Sequence, residues 1–168
     1  MYCPSHREED MMRSCRQHVS GKALKDIFFL TYDRMRRYEG AWHLEQQPMF
    51  PHYLFLESEH GEQLLEELAE YEDFVRVFRE KNYLIPVHRE EEQFFRGICG
   101  SSHHLSMSRG YIRNGQTCVT EGPLRGREGL IRKIDRHKRL ARLSLPGGSG
   151  LKEELREMYA GLEIVAKS

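Results

Sequence analysis

Residues 120–143 read TEGPLRGREGLIRKIDRHKRLARL, with Gly122, Gly126 and Gly129 spaced four and then three apart. Five Lys/Arg residues and a histidine then crowd into positions 132–139. The glycines are not a P-loop, because no Gly-Lys-Ser/Thr follows them. Nor do they form a dinucleotide fingerprint, because the next run, Leu130-Ile131-Arg132-Lys133-Ile134, has β character and no helical period. Glycine between two β-type runs marks a left-handed turn, a bulge or a close backbone approach. The pattern therefore predicts a small bent sheet whose next turn carries concentrated positive charge.

That charge is not visible in the total. The chain has 26 Lys+Arg and 26 Asp+Glu, a formal net charge of zero. Yet residues 57–73 hold eight acids and no Lys or Arg, whereas residues 109–142 hold ten Lys/Arg against three acids. A block distribution of this kind suits a basic module facing nucleic acid, or two separate partners. It also suits two solvated faces. No run of about 18 apolar residues is present, so no membrane helix is expected. The first residues, MYCPSHREEDMM, contain no apolar signal core. Cys3, Cys15, Cys99 and Cys118 are scattered without a C-x-x-C pair, which predicts reduced thiols in a cytoplasmic protein.

Hydrophobic periodicity predicts an α+β chain. Ser5 and Glu8 are spaced as a capping box, and Met11, Met12, Cys15 and Val19 follow at helical intervals, so a helix is expected over about 5–19. DIFFLTY and HYLFLES read as strands. Between them, Glu39-Gly40 divides two polar runs and predicts a protruding hairpin. GEQLLEELAEY places Leu64, Leu65, Leu68 and Tyr71 on one helical face, and REEEQFFRGICG turns Phe94, Phe95 and Ile98 inward. DFVRVF and YLIPV are short strand-like runs. Residues 100–110 are small and polar and read as a linker. The short strands and tight turns that follow suggest a small SH3-sized barrel. Leu151, Leu155, Met158 and Tyr159, with Ser149 as a cap, predict a helical turn near the end.

The segment GQTCVTEGPLRGREGLI, residues 115–131, resembles a KOW motif. PMFPHYLFLE, residues 48–57, with Asp73-Phe74-Val75-Arg76 after one helix, resembles the NGN domain of NusG-type transcription factors. Gly161-Leu-Glu-Ile-Val165 closes the chain as in that family. The likeness extends over nearly the whole chain and is nearest to specialised antiterminator paralogues of the LoaP or RfaH kind. It implies an NGN-type α/β sandwich with an antiparallel sheet over 1–99, a linker over 100–109 and an SH3-like KOW barrel over 110–168.

The same resemblance implies a non-enzymatic transcription elongation or antitermination factor that needs no cofactor. By position, Tyr53, Phe55 and Phe74 would form an apolar patch docking on the clamp helices of RNA polymerase. Aromatic groups suit that task, although all three also suit a core. Arg34, Arg36 and Arg37 on the hairpin would lie near DNA in the transcription bubble, where arginines meet phosphate without sequence preference. Arg132, Lys133, Arg136, His137, Lys138, Arg139 and Arg142 flank a turn suited to a structured nascent leader RNA, with phosphates held by charge and shape guiding recognition. Gly122, Gly126 and Gly129 would be structural. Little aromatic character interleaves with the basic stretch, so stacking of unpaired bases is not favoured on sequence grounds. A ribosomal protein or a termination factor is the competing partner for this domain.

Two other classes compete. A stand-alone RNA-binding or ribosome-associated KOW module would use the same turn without polymerase. A metal enzyme would draw on the nine histidines. These lack H-E-x-x-H spacing, and His103-His104 fall in the expected linker, where surface placement is anticipated.

Overall fold

The computed structural model describes residues 1–3, 8–70, 84–145, 155 and 157–168. The architecture is α+β. In chain order the elements are α1 (Glu8–His18), β1 (Asp26–Phe28), β2 (Thr31–Tyr38), β3 (Ala41–Pro48), β4 (Phe55–Glu57), α2 (Gly61–Ala69) and α3 (Arg89–Cys99). There follow β5 (His104–Leu105), β6 (Ser108–Arg113), β7 (Gln116–Glu121), β8 (Ile131–Asp135), β9 (Leu140–Ser144) and β10 (Glu157–Lys167). The chain folds as two compact units, one of Met1–Phe29 with Pro51–Ile85, the other of Leu30–Phe50 with Pro86–Ser168. The second unit thus holds the hairpin that the sequence reading placed within 1–99, together with the strands of 110–168.

In the first unit α1 opens with Glu8, Glu9 and Asp10 and closes with Arg16 and His18, charges that complement the helix dipole. Its buried face of Met11 and Cys15 packs with Ile27, Leu54, Leu64 and Leu68 in one apolar core. Leu65, expected on the inner face of α2 beside Leu64 and Leu68, is exposed. β1 and β4 pair antiparallel, with Ile27 opposite Leu56 and Phe28 opposite Phe55. The strand expected over 52–58 is shortened because His52 takes a left-handed φ of 68°. Tyr53 therefore leaves the β4 ladder and bridges Tyr2 instead.

The strand expected over 26–32 divides in the same way. Lys25 donates its N–H to the Glu57 carbonyl at 2.8 Å, whereas the Leu30 carbonyl accepts from Met49 at 2.7 Å. Backbone partners change across Phe29, so one apolar run becomes the end of one small sheet and the start of another. Among the described residues this region carries a two-stranded β1–β4 sheet and a three-stranded sheet ordered β3-β2-β5, in which β2 and β5 run parallel.

The hairpin β2–β3 forms as the Glu39-Gly40 pair predicts. Both residues have positive φ, 51° and 77°, the two-residue turn that matches strand twist. Helix α3 starts where the Glu91 carboxylate accepts the His88 N–H at 2.9 Å. It buries Phe95 and Ile98, and Phe95 meets Phe50 edge-on at 5.7 Å.

The residues expected to link the domains carry a 3-10 turn over Gly100–Ser102, strand β5 and the start of β6. Strands β6 to β10 form one five-stranded sheet ordered β7-β6-β10-β9-β8. Strand β10 bridges two hairpins, antiparallel to β9 through Glu157–Gly161 and parallel to β6 through Leu162–Lys167. Met158 and Leu162 are fully buried along it, as is Leu143, which faces Met158 from β9. No ladder joins β7 to β8 among the described residues, so the sheet is open and the closed barrel expected from sequence is not observed. Residues 122–130 join the two edges through a turn with Gly122 and Gly126 at positive φ and a 3-10 turn at Glu128–Leu130. The helical turn expected through Met158 and Tyr159 is corrected also, because both lie in β10. There the ladder to β9 satisfies every second backbone group, and Met158 alternates inward against Tyr159 outward. Ser5, Tyr71, the DFVRVF run, Ser149 and Leu151 lie outside the described residues, and residues 84–88 form no regular element.

Candidate nucleic-acid interface

Strands β8 and β9 are joined by residues 136–139. Asp135 Oδ1 accepts the Lys138 N–H at 3.0 Å, and the Arg139 N–H donates to the Arg136 carbonyl at 3.3 Å. An aspartate bonding its own backbone three residues on is a local turn device. The Lys138 N–H, with smaller help from the Lys138 and His137 charges, holds the Asp135 carboxyl below its ordinary range. Arg139 completes the turn in the left-handed region at φ 49°.

The turn displays Arg136, His137 and Lys138 to solvent. Of the other four basic residues of the stretch, Arg132, Arg139 and Arg142 are engaged. Arg132 Nε donates to Ser144 Oγ at 2.6 Å. Arg142 pairs with Glu157 at 3.2 Å, and Arg139 pairs with Glu163 at 2.9 Å. Lys138 Nζ lies 3.7 Å from Asp135. Lys133 and Arg136 have no acidic partner among the described residues. The seven basic positions therefore divide into a displayed set and a set that knits β8, β9 and β10 together.

Arg139 makes a second contact. Its guanidinium carbon lies 4.2 Å from the centre of the Trp42 ring. Trp42 sits on β3 opposite Arg37, and Arg36 stands opposite His43. The β2–β3 hairpin and the basic turn, assigned to separate domains from sequence, thus meet through Trp42 and Arg139 within one compact unit. Arg36 pairs with Glu45 at 3.6 Å, Arg34 is half-buried beside Tyr32, and Arg37 is exposed. Tyr38 and His43 stack at 3.7 Å between ring centres and 10° between planes. Sequence reasoning missed Trp42, Tyr38 and His43. A sole tryptophan in an otherwise polar hairpin was the available signal.

Of the three aromatic groups expected to dock on polymerase, Tyr53 is 7% exposed and meets Tyr2 edge-on at 5.4 Å. Phe55 is half-buried and stacks on Phe28 at 6.0 Å. Phe74 lies outside the described residues. The strand alternation expected to separate Tyr53 from Leu54 fails, since both are buried.

Two of the three glycines carry positive φ, Gly122 at 88° and Gly126 at 73°. A Cβ on Gly122 would lie 2.6 Å from the Met107 carbonyl oxygen and 2.7 Å from Ser108 Cα. Around Gly129 the space is open.

His104, expected on the surface of a linker, is part of a partly buried polar chain. Thr31 Oγ1 and His104 Nδ1 are 2.8 Å apart, and His104 Nε2 and Asp33 Oδ1 are 3.0 Å apart. Asp33 Oδ2 accepts the Met107 N–H at 3.0 Å. These bonds hold the short parallel strand β5 against β2 and fix the chain entering β6. No group of three or more His, Cys, Asp or Glu that could hold a metal ion occurs among the described residues, and no helix among them is long and apolar enough to cross a membrane. No protein-family model matches the chain, and no curated protein matches it.

Proposed function

We propose that this chain is a transcription elongation or antitermination factor of the NusG type. Its aromatic patch of Tyr53, Phe55 and Phe74 docks on the clamp helices of RNA polymerase, and its basic turn takes a nascent leader RNA. The observation that carries the RNA reading is the displayed turn, where Arg136, His137 and Lys138 project from a braced hairpin and Lys133 and Arg136 have no acidic partner among the described residues. Cations left unneutralised on a rigid loop attract phosphate. The likeness of residues 115–131 to a KOW motif gains support from the strand order. Of five strands in succession, the first and last, β6 and β10, pair side by side in parallel at the centre of the sheet. On the polymerase side, Phe55 is the most accessible described member of the patch, with Phe28 stacked behind it.

The test is single-round transcription with purified polymerase through a strong intrinsic terminator. One template carries the native leader of the adjoining operon and another carries an unrelated leader. Readthrough on the native leader alone supports a factor recruited by RNA, and equal readthrough on both supports a general elongation factor. No effect on either template, with comigration of the protein with ribosomes, overturns the proposal in favour of a ribosome-associated RNA-binding module.

A further inference from the structure

Arg37 stands directly opposite Trp42 in the β2–β3 register, so the two side chains share one face of the hairpin. The Arg139 guanidinium lies against that same indole, 4.2 Å from the ring centre. Arg139 is also the last residue of the basic turn, where its N–H donates to the Arg136 carbonyl at 3.3 Å. One arginine side chain therefore spans from the turn to the indole, and Arg37 is the next cation beyond it. The three charges differ in how far they are neutralised. Arg139 is answered by Glu163 at 2.9 Å. Arg37 and Arg136 are exposed and have no acidic partner among the described residues. The carboxylates of the two strands are engaged elsewhere. Glu45 stands opposite Arg34, on the alternate face, and pairs with Arg36 at 3.6 Å. Asp33, the one acid of β2 and β3 on the Arg37 face, is taken up by His104 and the Met107 N–H.

We propose that Arg37 is a phosphate-binding residue of the RNA surface that begins at the basic turn, with the backbone of one RNA passing from Arg136 across the Arg139–Trp42 contact to Arg37. This rests on the RNA-binding reading above, and it assigns to RNA an arginine that the family resemblance set near DNA. Contiguity carries it. Arg37 and the last residue of the turn flank the same ring, whereas an arginine on the alternate face would be free to serve another ligand. Phosphates follow one another along a strand, so a strand held at one unneutralised cation meets the next on the same surface. Between the two, Arg139 and Glu163 cancel each other's charge, and Arg139 braces the hairpin against the turn without competing for phosphate. Contacts of this kind fix the position of the RNA backbone and read no bases.

The test uses the full chain, a short fluorescein-labelled RNA stem-loop and a DNA duplex carrying the same label. An arbitrary stem-loop suffices, because phosphate contacts carry no sequence information. Fluorescence anisotropy over a salt series gives the affinity and the slope of log K against log salt. The emission of Trp42, the only tryptophan, is followed with unlabelled RNA. Arg37→Ala should weaken RNA binding about five-fold at about 0.1 M salt and reduce the slope by about one, the effect of one lost phosphate contact. Arg136→Ala should do the same, and Arg37→Lys, which keeps the charge, should keep the slope. RNA should shift Trp42 emission in the wild type and shift it less in Arg37→Ala. Arg113→Ala, which removes an exposed cation at the end of β6, should leave the slope unchanged. Circular dichroism checks that each variant is folded. Arg37→Ala silent toward RNA while Arg136→Ala weakens it overturns the extension and leaves the turn as an RNA site. A loss confined to DNA overturns it also and returns Arg37 to DNA. An equal loss at Arg113→Ala marks a response to net charge and overturns the site. Trp42 emission unmoved by bound RNA overturns the path across the indole. Absence of RNA binding by the wild type overturns the RNA reading itself.

Discussion

Arg139 lies over Trp42 at 4.2 Å while its guanidinium also pairs with Glu163 at 2.9 Å. One side chain therefore joins the β2–β3 hairpin, the basic turn and the long strand β10. Arg139→Ala should lower stability by about 1–2 kcal/mol, the sum of a cation–π contact and a half-buried ion pair. Arg139→Gly should lose roughly 0.5 kcal/mol less, because φ of 49° suits glycine. Urea unfolding followed by Trp42 emission measures both. Alanine behaving as wild type would show that the contact contributes nothing in solution.

The glycines that opened the sequence reading should differ sharply. Gly122→Ala combines a positive φ with backbone atoms within 2.7 Å of the new Cβ and should cost about 3 kcal/mol or more. Gly126→Ala, strained but unobstructed, should cost about 1 kcal/mol. Gly129→Ala should stay within about 0.5 kcal/mol of wild type. Thermal or urea denaturation of the three variants checks the order, and a large loss at Gly129 would contradict the open space around it.

The Thr31–His104–Asp33–Met107 chain of bonds predicts a cooperative loss. Asp33→Ala leaves the Met107 N–H and the His104 ring without their acceptor, at about 2–3 kcal/mol. His104→Ala should cost about 1–2 kcal/mol. In a double-mutant cycle the two effects should fall short of additive by about 1 kcal/mol. Strict additivity would mean that the two side chains do not interact.

Burial pushes the Cys15 and Cys99 thiols up to about 12, with the neighbouring Cys3 adding to the effect at Cys15. Cys3, Cys15 and Cys99 are buried and Cys118 is partly exposed. A thiol reagent at neutral pH should therefore label Cys118 first in the native protein and all four after unfolding. The linkage sign follows from the raised values. The unfolded chain releases these protons near its ordinary value of 9.0, whereas the folded chain holds them to about 12. The contribution of these two thiols to stability should be flat below pH 9 and fall between pH 9 and 12. Cys15→Ala should flatten that fall, and an unchanged slope would count against the burial.

Much of the local structure could be read directly from residue order. Glu39-Gly40 determined the hairpin because a two-residue turn at positive φ tolerates few alternatives. The spacing of Leu64 and Leu68, and of Phe95 and Ile98, determined two helices because a 3.6-residue period has one buried face. Asp135 and the cations after it determined a charged turn by purely local bonding. The rest depended on partners distant in the chain. A single apolar run, residues 26–32, became two strands in different units because its backbone groups found Glu57 on one side and Met49 on the other. His104 looked like a surface residue until Asp33 and Thr31, more than seventy positions away, enclosed it. Met158 and Tyr159 had helical spacing, yet the ladder to β9 made them strand. The basic turn was evident from sequence, but its aromatic neighbour was not, since Trp42 meets Arg139 only when the hairpin folds onto the C-terminal sheet. Periodicity and turn chemistry are properties of neighbouring residues, whereas strand pairing and ring–cation contact belong to the folded chain as a whole.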